Sequence, residues 1–503
     1  MDFNEQNATG RITMPIIRRE INSDVSEDFT LADYYPEIRK VLYVREALLT
    51  PSKFVSGNKI DVSGVIDYDL VYVSADGRVC SAPFSSEYSF SLPLDNMSDF
   101  EISEGFTVSA HTVAESSSVR VSAPRRIQIR SHLCTSVGAW GKVLCSEGTS
   151  GLDEGESFER LVGTLEGLEM VCESSDIISL SDEYRLPAEN CRIALAEGDV
   201  LVGSMRVEDD TVSINGEVII KLLVCCDGDG SSHRVIRKIP FEAQTDLDGI
   251  DMSCDPLCRA NGNVTDLSIE IEEGSAHIEA NLILELCGVG RREMNFTSDA
   301  YSTRRSCECR MIRRDIPVAL CNKNANVSQS ERITASDFGL FDGAQIIDVS
   351  ASAIVDRVEK SEECYVVRGT CKYNLLCLKD GEYTSSDIRL PFKYETDIED
   401  IDGVEIDGYD VLTSVFDVRA RIDGENINMD SEISLGCSIW GKRSVEMLES
   451  IDFYEPIEQS RGNIIVCFPQ PEDTLWKVAK RYSVLQSEIS GDPASDSFVM
   501  IET

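Results

Sequence analysis

The stretch Lys59-Ile60-Asp61-Val62-Ser63-Gly64-Val65-Ile66-Asp67-Tyr68 decides the fold class of this 503-residue chain. Its apolar side chains recur on even positions as far as Tyr72, with acidic or hydroxyl side chains on most positions between. Because successive side chains of a β-strand point to opposite faces, the alternation predicts a strand with one face in a core and one in water. The Asp76-Gly77 pair that follows is typical of a tight hairpin, and Pro83 in the next run predicts an edge strand.

The same landmarks occur three times at a nearly constant interval. Gly64, Gly216 and Gly369 are 152 and 153 residues apart, and each is followed by an Asp-Gly pair and a Pro-Phe pair. A second landmark keeps the interval: Trp140-Gly141-Lys142, Val289-Gly290-Arg291 and Trp440-Gly441-Lys442. Since solenoid repeats are only about 20 to 50 residues long, each copy is expected to be a domain with its own core.

We therefore expect a mainly β protein of three tandem, antiparallel, β-sandwich-like modules at 10–145, 160–295 and 310–448. The polar segments 146–151 and 458–462 are the predicted linkers, and a small fourth domain is expected at 462–503. The repeated glycines interrupt strands at equivalent places. A β-bulge or a close backbone approach is the expected reason, which makes Gly64, Gly216 and Gly369 structural residues.

The composition is strongly acidic. With 47 basic and 89 acidic residues the formal net charge is −42, which disfavours nucleic acid and anionic membranes as direct partners and favours solubility or a basic protein partner. Seven arginines between the second and third modules are a local exception and offer a contact for another acidic module. They are Arg291, Arg292, Arg304, Arg305, Arg310, Arg313 and Arg314.

The residues from Met1 to Glu5 lack the basic and apolar regions of a secretory signal, and no uncharged apolar run reaches about 18 residues. The sequence therefore predicts a cytoplasmic protein without a transmembrane segment. In a reducing compartment the 18 scattered cysteines are expected to behave mainly as small hydrophobic residues. The close pairs Cys254/Cys258 and Cys307/Cys309 have no histidine nearby, so no zinc site is expected.

Catalytic signatures are few. The chain has four histidines, and His111, His132, His233 and His277 stand in no metalloprotease motif or nucleophile signature. There is no phosphate-binding glycine loop, and the acidic run before Gly403 fails the spacing of an EF-hand because Ile398 occupies a ligand position. We expect no enzyme activity, no cofactor and no metal.

The C-terminal residues change from a β to a helical pattern. Asn463 to Phe468 predict a strand, Asp473 is a suitable N-cap, and the positions from Leu475 to Tyr482 predict a helix. A second short helix is expected at about 485–490 and a closing strand at 498–501. The result is a miniature βααβ domain.

This domain resembles the LysM family in the phrase formed by Asp473, Thr474, Leu475, Trp476, Val478, Ala479 and Tyr482. Two departures are Glu472, where LysM modules usually have glycine, and Ser490-Gly491-Asp492, where an asparagine is usual. The resemblance implies a core of Leu475, Trp476, Val478, Ala479 and Tyr482. It also implies a partner- or glycan-binding groove between two loops, formed by Pro471, Glu472, Asp473 and Thr474 and by Gly491, Asp492, Pro493 and Ala494.

The three β modules resemble the SPOCS domains of spore-forming Firmicutes. The resemblance lies in Val41-Leu42-Tyr43-Val44, in Val62-x-Gly64-x-x-x-Tyr68, in Leu70-Val71-Tyr72-Val73 and in Asp299-Ala300-Tyr301-Ser302. It implies a mother-cell protein at the forespore surface, and later in the spore coat, whose LysM domain engages a SpoIVA-type coat-basement ATPase.

Two functions follow as hypotheses. The first is a non-enzymatic scaffold for spore coat assembly. The alternative is a protein that binds peptidoglycan, an N-acetylglucosamine polymer, at the cell wall or spore cortex. A wall hydrolase is disfavoured because no positioned carboxylate pair or activated nucleophile can be named.

Overall fold

The computed structural model describes residues 10–94, 102–145, 158–208, 211–226, 231–246, 256–340, 343–361, 364–396, 403–457 and 463–502. Most of them lie in antiparallel strands, which confirms the mainly β prediction. Among these residues, six sheets form three sheet pairs and a small seventh sheet lies at the C-terminus. The predicted linkers lie wholly or mostly outside the described residues, so the module limits stay a prediction.

Sheet pair 1 begins with strand β1 and ends with β7. Its strands are β1 (Gly10–Thr30), β2 (Ile38–Leu48), β3 (Ser52–Ser56), β4 (Lys59–Ser74), β5 (Val79–Pro93), β6 (Ile102–Ala123) and β7 (Arg126–Cys145). One sheet has the order β1-β7-β6, and the other has β2-β4-β3 with β5 also paired to β4. The alternating residues Ile66, Tyr68 and Leu70 of β4 pack against Ile127 and Ile129 of β7 in the core, as their spacing predicted.

Sheet pair 2 repeats this strand order. Its strands are β8 (Phe158–Arg185), β9 (Cys191–Glu208), β10 (Thr211–Cys226), β11 (Ser232–Asp246), β12 (Leu257–Glu272) and β13 (Ser275–Ser302). The sheets are β12-β13-β8 and β11-β10-β9. The last strand, β13, thus lies between the first strand, β8, and the next-to-last strand, β12, as β7 lies between β1 and β6 in pair 1. Buried side chains of β10 and β13 form one core between the two sheets.

Sheet pair 3 shows the order a third time. Its strands are β14 (Arg305–Thr334), β15 (Gln345–Lys360), β16 (Tyr365–Lys379), β17 (Glu382–Glu395), β18 (Glu405–Asp423) and β19 (Asn426–Pro456), with a 3-10 turn at Ala335–Phe338. They form the sheets β14-β19-β18 and β15-β16-β17 around a third core.

The prolines and Asp-Gly pairs mark edges and turns as predicted. Pro83, Pro240 and Pro391 lie in the edge strands β5, β11 and β17, where a missing N–H breaks no inner ladder. Gly77 and Gly381 have φ values of 87° and 78° in the turns that follow β4 and β16. Asp227-Gly228 lies outside the described residues.

Each repeated glycine lies opposite an aromatic ring of the neighbouring strand. The register pairs are Gly64 with Tyr88, Gly216 with Phe241, and Gly369 with Phe392. A Cβ on these glycines would come within 2.4, 2.4 and 2.3 Å of ring atoms, and none of the three has a positive φ. At Gly216 and Gly369 the Cβ would also come within 2.5 and 2.4 Å of the backbone oxygens of Leu201 and Ile354, which confirms the expected close backbone approach at these two positions. Limited space, rather than a positive φ, is therefore what requires glycine here.

A one-residue register shift accompanies all three glycines, on the side away from the ring-bearing strand. It lies beside Gly216 in β10 and opposite Gly369 in β16, and beside Gly64 in β4, where Ile66 pairs with Leu48 of β2 and Ser63 pairs with Ser52 of β3. The Pro-Phe landmark, by contrast, is not equivalent in the first repeat. Phe84 faces Tyr68, and Tyr88 takes the position over Gly64.

The second landmark brings the three sheet pairs together. Trp140, Val289 and Trp440 share one apolar cluster with Leu168, Cys287 and Ala319, here called the hub. The rings of Trp140 and Trp440 meet edge to face, with centroids 4.9 Å apart. A second cluster combines Val71 and Val73 with Leu195 and Leu223 of pair 2 and Leu376 of pair 3. Each pair thus contacts both others.

Arginine side chains cross all three interfaces between the sheet pairs. The bonds are Arg18 Nη1 to Asp407 O (3.0 Å), Arg45 Nη2 to Ala196 O (2.9 Å) and Arg234 Nη1 to Val418 O (2.9 Å). Arg18 also lies over the rings of Tyr409 and Trp440, at 5.4 and 5.1 Å from their centroids. Because bonds to backbone carbonyls have fixed directions, these contacts define the relative orientation of the sheet pairs.

A buried charge network lies around two of these arginines. Its members are Arg45, Asp69, Glu197, Asp199, Lys221, Arg234 and Asp348. Lys221 is 4% exposed and pairs with Asp199 at 2.5 Å. Burial raises the pKa of Asp199 to about 6, with Glu197 adding to the effect and Lys221 opposing it.

One pair of cysteines departs from the expectation of reduced thiols. Cys191 and Cys226 are register partners on β9 and β10, and they form a disulfide with the Cα atoms 4.0 Å apart. The prediction was wrong for this pair because the strand register, which spacing does not reveal, places the two side chains together. Seven other described cysteines are buried thiols, and burial raises the pKa of Cys371 and Cys377 to about 11.

The C-terminal unit, residues 463–502, is a separate small sheet with one helix. It contains β20 (Ile464–Cys467), α1 (Leu475–Tyr482), β21 (Ile489–Ser490) and β22 (Val499–Glu502) in the sheet order β20-β22-β21. The predicted second helix is shorter than expected. It is a single 3-10 turn at Gln486–Glu488, because Ile489 pairs with Ile501 and the chain becomes extended there.

Candidate functional site

The C-terminal unit docks on the end of strand β13. The indole Nε1 of Trp476 donates to Asp299 Oδ2 at 2.8 Å, and Lys480 Nζ lies 2.5 Å from Asp299 Oδ1. The phenol of Tyr301 donates to Val484 O at 2.8 Å, and its ring meets Trp476 edge to face with centroids 4.9 Å apart. These contacts are called the clasp below.

The predicted LysM core residues pack in the cluster that includes the clasp. Trp476, Val478 and Ala479 are buried, and Leu475 and Tyr482 are partly buried against them. Tyr301 of β13 is 3% exposed and belongs to the same cluster. The unit therefore completes its core with a side chain from sheet pair 2, a contribution that no local sequence pattern indicated.

The first predicted loop is bonded internally. The expected N-cap Asp473 is wrong, because Thr474 caps α1 by accepting from Lys477 N at 3.3 Å. Asp473 instead accepts two bonds from Arg481, at 2.6 and 3.0 Å, and one from Gln470 N at 2.9 Å. Hydrogen bonding from Arg481 lowers the pKa of Asp473. Of the predicted groove residues here, Pro471, Glu472 and Thr474 are exposed.

The second predicted loop also satisfies its own polar groups. Asp492 accepts from Ala494 N and Ser495 Oγ, both at 3.0 Å, and these bonds lower its pKa. Gly491 has a φ of 105°, which a side chain would strain, and Pro493 is buried. The carboxylates Asp473 and Asp492, which the resemblance placed in a groove, thus already accept hydrogen bonds, Asp473 from Arg481 of α1 and Asp492 from its own loop.

A surface that the sequence analysis did not find lies on the other side of the small sheet. Ile464 and Val466 of β20 and Met500 of β22 are 67%, 51% and 43% exposed, and Val466 is the register partner of Met500. Phe468 and Phe498, next to these strands in the same alternation, are 73% and 47% exposed. These five side chains are called the outer face. The alternation of inner Cys467 and Ile501 with outer neighbours was the signal that could have revealed it.

The arginine cluster pairs with strands of its own sheets. Arg292 lies 3.4 Å from Glu169 of β8, Arg310 lies 2.8 Å from Glu449 of β19, and Arg305 Nε donates to Tyr454 O at 2.8 Å. These contacts do not reach a different sheet pair, unlike the contact with another module that the sequence suggested.

Two searches of the described residues give negative findings. No group of three or more histidine, cysteine or acidic side chains is arranged to hold a metal ion. None of the helices there has the length and apolar character needed to cross a membrane.

Comparison of the chain with protein families, curated proteins and solved structures gives no match.

Proposed function

We propose that the chain is a non-enzymatic scaffold whose C-terminal unit binds a protein partner through the outer face. The observation that carries this proposal is the concentration of five exposed apolar side chains on one side of a 40-residue unit whose opposite side is fixed by the clasp. A contiguous apolar surface of this kind is typical of protein interaction sites. Fixing the unit on β13 leaves less orientational freedom to lose on binding.

The resemblance to SPOCS and LysM domains suggests the biological setting. Three SPOCS-like modules followed by one LysM-like domain is the layout of the clostridial spore morphogenetic protein SipL. We therefore take a SpoIVA-type coat-basement ATPase as the candidate partner, and the forespore surface in the mother cell as the place of action. The alternative, binding of peptidoglycan by the LysM-like loops, has less support because Asp473 already bonds with Arg481 and Asp492 with Ala494 N.

Capture of the purified ATPase by full-length variants tests the proposal. Val466→Lys places a charge in the middle of the outer face and should weaken capture by about tenfold or more, because a desolvated interface centre tolerates an unpaired charge poorly. Ile177→Lys is the matched control, since Ile177 is equally apolar and 70% exposed but lies on β8. Both variants should keep the wild-type melting temperature.

Glu472→Lys separates the two possible surfaces of the unit. A loss of capture in Glu472→Lys with normal capture in Val466→Lys would show that the partner contacts the predicted loops rather than the outer face. Normal capture in both variants, with saturable binding of N-acetylglucosamine oligomers that is lost on deletion of residues 462–503, would support the glycan alternative.

A further inference from the structure

A cavity of about 800 Å³ lies beside the hub, where the three sheet pairs meet. Its walls combine β6 and β7 of pair 1, β12 and β13 of pair 2, and β18 and β19 of pair 3. Small-molecule sites are typically about 300 to 1,000 Å³ in volume and often occur between domains. The cavity is therefore of ligand size and lies at a common place for a ligand.

The cavity has an apolar floor and a hydroxyl-rich mouth. Trp140, Trp440 and Cys287 of the hub line the floor, and Trp140 is 6% exposed. Three exposed serines also line the cavity: Ser52 and Ser136 of pair 1 and Ser175 of pair 2. An aromatic floor can contact an apolar ligand face, and serine hydroxyls both donate and accept hydrogen bonds.

The four basic side chains on the wall are matched in number by four acidic ones, and two of each form ion pairs. Lys53 pairs with Glu173, and Arg259 pairs with Asp410, so each ion pair joins two sheet pairs. Arg259 Nη1 also donates to Gly436 O at 3.3 Å. A charged ligand that displaced one member of these ion pairs would leave a partly buried charge without its partner, which is costly.

Burial shifts the pKa of two further side chains of the wall in the direction that favours their uncharged forms. Burial raises the pKa of Glu285 on β13. Burial also lowers the pKa of His111 on β6, with the nearby Arg259 acting in the same direction and Asp410 opposing it. The wall thus offers donors and acceptors without a surplus of either charge.

We propose that this cavity binds a neutral, polyhydroxylated ligand of the saccharide class. Hydroxyl groups can donate to the carboxylates and accept from the cations without separating the ion pairs, while the C–H face of a sugar ring covers the indoles of the floor. The site is distinct from the C-terminal loops and does not depend on the proposed protein partner.

Isothermal titration of the full-length protein with three probes tests the proposal. The probes are N,N′-diacetylchitobiose as a neutral sugar, the dipeptide Ala-Ala as a zwitterion, and citrate as an anion. Diacetylchitobiose should bind with one site per chain, and Glu285→Gln should weaken it by about tenfold because an amide NH2 group replaces a carboxyl oxygen that accepts from a sugar hydroxyl. Glu279→Gln, on the exposed part of the same strand, is the matched control and should bind as the wild type does.

Ser136→Trp supplies a second test that does not alter the charges. Ser136 is exposed, so the indole fills the mouth without disturbing the core, and binding of diacetylchitobiose should be lost. Equal binding to wild type, Glu285→Gln and Ser136→Trp would show that the sugar binds outside the cavity and would overturn the proposal. Binding of Ala-Ala or citrate in preference to the sugar, or of no probe, would also overturn it.

Discussion

At the scale of single residues, the repeated glycines show how a sequence pattern and its physical cause can differ. Their spacing identified them, and a bulge or a close approach was the expected reason. The structure shows these features and, in addition, places an aromatic ring from a different strand over each glycine. Local sequence could not identify Tyr88 as the residue whose ring packs over Gly64, because strand register depends on both strands and on the turn between them.

Gly64→Val should lower the free energy of unfolding by about 1 to 3 kcal/mol, because the new side chain meets the Tyr88 ring. In a Tyr88→Ala background the same substitution should cost clearly less, since the obstructing ring is absent. Denaturant unfolding of the four proteins measures this coupling, with Ser63→Val as the control at the exposed neighbour. Equal costs in both backgrounds would show that the backbone, rather than the ring, requires glycine.

At the scale of elements, helix α1 was predictable and its surroundings were not. The apolar positions from Leu475 to Tyr482 follow helical spacing, and the helix forms over those residues. The N-cap was assigned one residue early because aspartate and threonine are both good caps, and only the Arg481 contact commits Asp473 to another role. The clasp joins residues 177 positions apart in sequence, as Trp476 and Asp299 are, so no local pattern could reveal it.

Asp299→Asn should loosen the C-terminal unit without unfolding the sheet pairs. The amide keeps one acceptor but loses the charge that holds Lys480, and charged hydrogen bonds are the stronger ones. Hydrogen exchange should therefore accelerate by about tenfold in α1 and stay unchanged in β4, β10 and β16. Glu293→Gln, exposed on the same strand, is the control. Unchanged exchange in α1 would mean that apolar packing alone holds the unit.

At the scale of the whole molecule, the three sheet pairs depend on one another through buried charges. The sequence predicted the repeats but expected them to fold independently, because the alternation of each strand describes only its own core. Lys221, Asp199 and Glu197 of pair 2 lie beside Arg45 of pair 1 and near Asp348 of pair 3. Such contacts depend on the relative orientation of the pairs, which no strand pattern specifies.

The raised pKa of Asp199 predicts a pH dependence of stability. Between the ordinary value of 3.8 and about 6, the folded protein holds a proton that the unfolded chain has released. This group therefore favours folding more strongly as pH falls from about 6 towards 4, and the contribution is absent above that range. Relative to Asp199→Asn, the wild type should gain stability when thermal unfolding is measured at pH 5 instead of pH 7. A relative loss of stability at pH 5 would contradict the assignment.

The hub has a consequence for how such a chain can change its number of copies. In a linear array each unit touches only its neighbours, so duplication or deletion of one unit leaves the others intact. Here Trp140, Val289 and Trp440 meet at a single place, and each sheet pair contacts the other two. Loss of one copy would expose the contacts of the remaining two. Removal of a copy is therefore expected to disturb this chain more than it disturbs a linear array.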